Sequence, residues 1–369
     1  MPADLHCPAC DRTYGAGPDE PWRCDCGHAL EFADRPCPSG TPVPLERIDT
    51  STGLWTFHEF LPVERKVSFG EGMTPLVPVA AWEAEFKLEY LHPTGSFKDR
   101  GATTTVSRAL ALGVETILED SSGNAGAAIA TYAARAGLDA QIYVPEHVRQ
   151  SKLMAIQRAG ARPIRIDGDR AAATEACIDA VEDGEGWYAS HAWNPAFYAG
   201  TMTFALEVVA QRGWEPPDAV VLPVGHGTLL LGAHRGFSLL AEAGITDTVP
   251  RLYGVQAKGF APVVEAIGGA VIDEAEDHDG AEIIDGIQIN QPARGTAIIE
   301  AIEETGGDAI ALNGNHVEAS LDHLHRQGFY VEPTGAVATA ALEQYRDRGD
   351  IGQTEDVVVP LTGTAMKTI

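Results

Sequence analysis

Lysine is nearly absent from this chain, with six in 369 residues. Basic residues of both kinds number 26 against 53 acidic ones, and the formal net charge at pH 7 is −27. A surface so short of cations repels nucleic-acid phosphates and anionic membranes, so neither is an expected partner. Long apolar runs are missing too. None reaches the ~18 residues of a membrane span, and the N-terminus carries no signal-peptide pattern, so a cytoplasmic protein is expected. There is no internal repeat and no low-complexity segment. The acidic excess is spread along the chain, with a local concentration at Asp273–Asp285 rather than an acidic tail. Such a surface suits high salt, where self-repulsion is screened, and a halophilic protein is expected; an acidic mesophilic enzyme is the alternative.

What is present is ordinary for a soluble globular protein: 44% hydrophobic and 21% charged residues. The length allows a large core, as two domains or one large α/β unit. From Phe86 onward short apolar runs alternate with amphipathic stretches. Strands are expected at Phe86–Leu91, Thr116–Glu119, Ala140–Val144, Pro163–Ile166, Trp187–Ser190, Ala219–Leu222, Leu252–Gln256 and Val357–Leu361. Helices are expected between them, among them Ala102–Leu112, Ala125–Ala136, Phe197–Gln211 and Leu229–Leu240. This alternation predicts mainly parallel sheets covered by helices on both faces.

The first 30 residues stand apart. Cys7-Pro-Ala-Cys10 is followed after thirteen residues by Cys24-Asp-Cys26. Two close cysteine pairs can set four thiolates around one Zn²⁺, with no open position, so a structural zinc ribbon is expected. Metal binding would supply the folding energy that so small a unit lacks. Cys37 and Cys177 read as ordinary thiols. Residues 31–68, rich in proline, read as a linker anchored by Trp55, Phe57 and Phe60, and residues 69–369 as the catalytic region.

The catalytic reading centres on Pro93-Thr-Gly-Ser-Phe-Lys-Asp-Arg-Gly101. Thr94–Ser96 form a turn of small residues that lets backbone approach a ligand, and Lys98 stands near a helix start beside Phe97. A partly desolvated lysine loses its charge readily and forms a Schiff base with a carbonyl. Three later stretches follow in order: Ser121-Ser-Gly-Asn-Ala-Gly126, Gly225-His-Gly-Thr-Leu229 and Leu361-Thr-Gly-Thr364. The strand-to-helix turn at Pro223–Thr228 suits a phosphate held on backbone N–H groups. It also reads as G-x-G, but a nicotinamide site would want a third glycine where Leu230 stands and an acid where the next strand ends in Gln256.

Together these stretches resemble the pyridoxal-phosphate enzymes of fold type II (tryptophan synthase β-like), and among them the threonine synthase branch, from about Leu54 to the C-terminus. Archaeal-type members carry a similar zinc knuckle. The resemblance implies a smaller domain at about 97–195 within a larger one, with the active site in the cleft between them. It makes Lys98 the cofactor lysine and the catalytic base, and Phe97 a pocket wall. Asn124 would donate to the ring hydroxyl, and Ser121, Ser122, Gly123 and Ala125 would hold the substrate carboxylate. Gly225, His226, Gly227 and Thr228 would take the phosphate, and Thr362 would bond the pyridine nitrogen. Glu71–Leu76 resembles a loop beside the active site, and Glu332–Ala336 one on the same rim.

The chain departs from the family in one stretch. Where relatives read roughly Asn-Pro-Tyr-Arg-x-Glu-Gly-Gln-Lys-Thr, a clamp for the substrate phosphate, this chain reads Asn194-Pro-Ala-Phe-Tyr-Ala-Gly-Thr-Met-Thr203. Phe197 replaces the arginine, Ala199 the glutamate and Met202 the lysine. Losing two charge-assisted bonds would cost ~3–6 kcal/mol, on the order of 10²–10⁴ in kcat/KM, unless Arg149, Lys152, His191 or Arg294 compensates. His92 stands where the family has asparagine. The expected function is a threonine synthase-like lyase acting on a small amino acid. The alternatives are a threonine or serine ammonia-lyase, a cysteate synthase-like enzyme, or a degenerate zinc-ribbon interaction protein. A homo-oligomer is left open.

Overall fold

The computed structural model describes residues 2–40, 43–272 and 281–367. Of the acidic concentration at Asp273–Asp285, residues 273–280 lie outside the described residues. The chain divides into two compact units. The first is Met1–Pro38, Thr50–Gly72 and Lys98–Thr201; the second is Ser39–Asp49, Met73–Phe97 and Met202–Ile369.

The first unit holds a four-stranded, all-parallel sheet in the order Arg162–Ile166, Asp139–Pro145, Thr116–Glu119, Trp187–Tyr188. Helices Lys98–Leu112, Asn124–Ala136, Gln150–Arg158 and Arg170–Glu182 belong with it. Its core joins Ala102, Val106 and Ala109 to Ala128, Ile129, Ile142 and Phe197. The four-cysteine segment adds a small antiparallel sheet of Leu5–His6, Thr13–Tyr14 and Glu31–Phe32. It is tied to the Lys98 helix by Arg108, which is buried and donates to Glu20 and to the Ala3 carbonyl.

The second unit is built on seven strands, in the order Val271–Ile272, Ala309–Leu312, Arg251–Ala257, Ala219–Pro223, Val357–Pro360, Ala84–Lys87, Leu76–Val79. All neighbours are parallel except the last pair. The central strands Ala219–Pro223 and Val357–Pro360 are buried throughout, which is why they read as unbroken apolar runs rather than alternating ones.

Several elements differ from expectation. The strand expected at Phe86–Leu91 ends at Lys87, and a single 3₁₀ turn follows at Glu89–Leu91. Buried charges account for the break. Lys87 Nζ donates to the Thr74 carbonyl, Glu207 and Gln211, and Glu89 accepts from the Thr74 hydroxyl at 2.7 Å. The helix expected from Ala102 starts four residues earlier, at Lys98 itself. The strand Ala309–Leu312 and the helix Pro262–Ile267 went unforeseen; four residues reading Ala-Ile-Ala-Leu are too short for periodicity to decide. Within residues 31–68 the chain makes 3₁₀ turns at Leu45–Arg47 and Gly53–Phe60, with Trp55 and Phe57 buried and Phe60 half-buried. No helix among the described residues is long and apolar enough to cross a membrane.

Candidate active site

In the first unit, Lys98 opens its helix with its ammonium 5.8 Å from the centre of the Phe197 ring. Phe197 is fully buried and covers Gly101, where any β-carbon would fall on the ring. Phe197, which stands where the family has arginine, thus belongs to the core of this unit, with Lys98 against its ring. His191 lies edge-on to the same ring at 6.0 Å.

A second arrangement meets this one from the sheet. Thr116–Glu119 and Trp187–Tyr188 run parallel with Leu118 opposite Tyr188, so Glu119 and His191 lie at the same carboxyl end. His191 Nδ1 is 2.7 Å from Glu119 Oε1, and the His191 backbone N–H donates to Glu119 Oε2 at 3.2 Å. Both side chains are buried. Burial pushes the Glu119 carboxyl well above the usual range and Asp120 adds to the rise, while the His191 N–H, Lys98 and Arg170 pull it down. Sequence reading did not single out Glu119. Its signal was a lone acid ending the apolar run Thr116-Ile-Leu-Glu119.

After Glu119 the chain turns through Asp120–Gly123 into the helix Asn124–Ala136. Gly126 must be glycine, because a β-carbon there would fall on the Ser121 carbonyl. No side chain caps this helix start, and the Gly123 N–H leans on Ser121 Oγ at 3.3 Å. Ser121 and Ala125 are buried, and Ser122, Gly123 and Asn124 are half-buried. Unpaired N–H groups at a helix start suit an anion such as a carboxylate. Glu71, in the loop expected beside the active site, is a buried hub that accepts from Trp55 Nε1, the Phe69 N–H and the Tyr132 hydroxyl.

In the second unit, the strand Ala219–Pro223 leads through Val224 to Gly225, His226 and Gly227, and the helix Thr228–Glu242 begins without a side-chain cap. Gly227 has φ +70°, and a β-carbon on it would fall on Ile298; at Gly225 one would stand 3.2 Å from the Ile287 Cα. The sequence thus leaves a narrow, backbone-lined turn at a helix N-terminus. Elsewhere in this unit the Phe97 N–H donates to the Thr362 carbonyl at 3.1 Å, and Ser96 bridges Gly363. Thr362 is 2% exposed, and its hydroxyl has no hydrogen-bond partner among the described residues. An orphaned buried hydroxyl costs about 1–3 kcal/mol, so a ligand that accepts from it relieves a standing penalty. The uncapped turn and this hydroxyl fit the phosphate and the ring nitrogen of pyridoxal phosphate. His92 is buried with Nε2 3.3 Å from Glu89.

Of the cations weighed as substitutes for the clamp, Arg149 is exposed, Lys152 half-buried, and Arg294 buried before the helix Gly295–Glu304. Only His191 lies in the surroundings of Phe197 described above. Met202 is buried, with its backbone against Gly236. The four cysteines of the N-terminal segment bring their sulfurs within 4.8 Å of one another, with Cys7 3.5 Å from Cys26 and Cys10 3.4 Å from Cys24. Ligands ~2.3 Å from a tetrahedral zinc are separated by about 3.8 Å, which this cluster matches closely.

Residues 67–363 match the family described as pyridoxal-phosphate dependent enzyme. The chain is 33% identical to the threonine synthase of Methanosarcina acetivorans, over 89% of this chain and 84% of that protein. It is 32% identical to the threonine synthase of Methanocaldococcus jannaschii, over 98% of this chain and 92% of that one. Among solved structures, the threonine deaminase isoform 2 from Solanum lycopersicum superposes with a TM-score of 0.66 at 20% identity, over 91% of this chain and 88% of that one. That last likeness shows the shared fold.

Proposed function

The chain belongs to the pyridoxal-phosphate dependent enzyme family, in its threonine synthase branch, and from that premise we propose a lyase that forms threonine from phosphohomoserine or performs a related elimination or replacement on an amino acid. Pyridoxal phosphate, when bound, supplies the electron sink that lets the α-carbon of an amino acid give up a proton. Lys98 is assigned to carry the cofactor through Nζ and, once freed, to hold and return that proton. Phe97 walls the pocket and Asn124 donates to the ring hydroxyl. Gly225, His226, Gly227 and Thr228 take the phosphate at their helix start. Ser121, Ser122, Gly123 and Ala125 orient the substrate carboxylate.

The observation that carries the reading is the buried, partnerless hydroxyl of Thr362, in the residue whose carbonyl holds Phe97 immediately before Lys98. A hydroxyl partner leaves the pyridine nitrogen largely unprotonated, which favours elimination and replacement over transamination. Borohydride reduction of the yellow protein followed by peptide mapping tests the assignment. The label is expected on Lys98, and a label on another lysine overturns it.

A second reading, ammonia release from serine or threonine, is favoured by one observation: the residues at the clamp positions are apolar and buried. Comparing kcat/KM for phosphohomoserine, threonine and serine in high salt separates the two. Preference for phosphohomoserine by several orders of magnitude would retire the second.

Cys7, Cys10, Cys24 and Cys26 are assigned one structural zinc. Metal analysis is expected to give about one zinc per chain, and zinc-replete protein without metal would remove the assignment. The acidic surface is read as adaptation to high salt, with loss of stability expected on dilution into low salt.

A further inference from the structure

The buried pair Glu119–His191 is not used by the chemistry above, yet it is built with care. One residue meets the Glu119 carboxyl twice, its ring Nδ1 2.7 Å from Oε1 and its backbone N–H donating to Oε2 at 3.2 Å, and that carboxyl has no exposed surface. An ionisable pair taken out of water costs several kcal/mol per ion unless its charge is answered nearby. Phe197 touches both, with His191 edge-on to its ring at 6.0 Å and Lys98 Nζ 5.8 Å from its ring centre. Glu119, His191 and Phe197 are all buried, and charges in such surroundings act on each other through a medium of low polarity.

We propose that Glu119 and His191 are positioning residues for Lys98: as a pair they carry a negative charge when the Lys98 amine is protonated and take up a proton when it is neutral. The proposal rests on Lys98 being the cofactor lysine. The proton count closes without a further reagent, since one proton leaves Lys98 as one is bound by the pair, and no electrons move. Raised proton affinity of Glu119, opposed by Lys98, is what such coupling requires. The other groups facing Glu119 are Asp120 beside it and Arg170 at the start of the helix Arg170–Glu182. Cys177 and Tyr188, both buried, also feel its charge. Asp99, next to Lys98, is turned to the Tyr132 hydroxyl at 3.5 Å.

The sign follows directly. A negative pair beside Lys98 raises the pH at which the lysine loses its proton, so neutralising the pair lowers it. The experiment follows acylation of Lys98 against pH in cofactor-free full-length protein, read by peptide mass, for the wild type, Glu119→Gln and His191→Phe. The half-reactive pH is expected to fall by roughly one unit in Glu119→Gln, and in the same direction in His191→Phe, which strips the carboxylate of its ring donor. Near-ultraviolet circular dichroism checks that each variant is folded, and the second variant serves if the first is not. A folded variant whose Lys98 titrates as in the wild type overturns the proposal. Borohydride labelling of the holoenzyme keeps the outcomes separate: label on Lys98 with unchanged titration removes only the pair's role, and label elsewhere removes the premise.

Discussion

Two stretches that meet beside Lys98 have diverged in opposite directions. Pro93–Gly101 keeps the small turn, the lysine and the glycine that its chemistry calls for. Asn194–Thr203 has replaced each charged residue of the family's clamp, and the substitutes are turned inward: Phe197 is 0%, Ala199 6% and Met202 7% exposed. Gly101 and Phe197 pack against each other within the first unit. Reaction machinery and substrate recognition are therefore separable here. On the function proposed above, the groups assigned to the α-carbon are present, while the positions matched to the clamp carry buried apolar side chains.

The Lys98 side of that contrast is tested most severely by Lys98→Ala. Loss of the amine removes both covalent attachment and the base, and activity is expected to fall by about 10²–10⁴-fold or more. Borohydride should then incorporate no label. Retained, reducible cofactor in this variant would move the catalytic amine elsewhere.

Restoring the family's arginine tests the other side. Phe197→Arg places a charge in the core against Gly101, and a cost of about 3–5 kcal/mol is expected in urea unfolding. Were the variant as stable as wild type and better with phosphohomoserine, residue 197 would face the substrate and the contrast would collapse. The contact itself is tested by Gly101→Ala. Its added methyl falls on the Phe197 ring, and about 1–3 kcal/mol is expected to be lost, since a well-packed core yields only by shifting its neighbours. An unaffected melting temperature would mean that the two stretches are loosely joined.

Much of this was legible in the sequence, and the remainder was hidden for identifiable reasons. Thr116–Glu119 and Asn124–Ala136 were placed to within a residue, because a buried strand and a helix opening on Gly-Asn carry strong local signals. The start of the Lys98 helix was missed by four residues, because Lys-Asp-Arg-Gly lacks the apolar spacing that marks a helix face. Phe197 was counted as a residue lost from a clamp, and its second role, filling the space over Gly101, needed coordinates. The Glu119–His191 pair spans 72 positions, and only the parallel register of Leu118 with Tyr188 brings it together. Chain order carries no trace of that register.

The smallest of these effects decides what kind of residue Thr362 is. Thr362→Val keeps the shape and removes only the hydroxyl, which is buried and has no partner among the described residues. In the cofactor-free protein that hydroxyl is a penalty, so the valine is expected to leave the melting temperature unchanged or raise it. With cofactor bound the sign reverses. The lost bond is worth about 0.5–1.5 kcal/mol, and the cofactor is expected to bind about 2–10-fold more weakly. Both measurements are needed, because a purely structural threonine gives a different pair of outcomes. If valine destabilises the cofactor-free protein and leaves cofactor affinity untouched, Thr362 is core, and the cofactor assignment then rests on Lys98, Phe97, Asn124 and the turn at Gly225–Thr228.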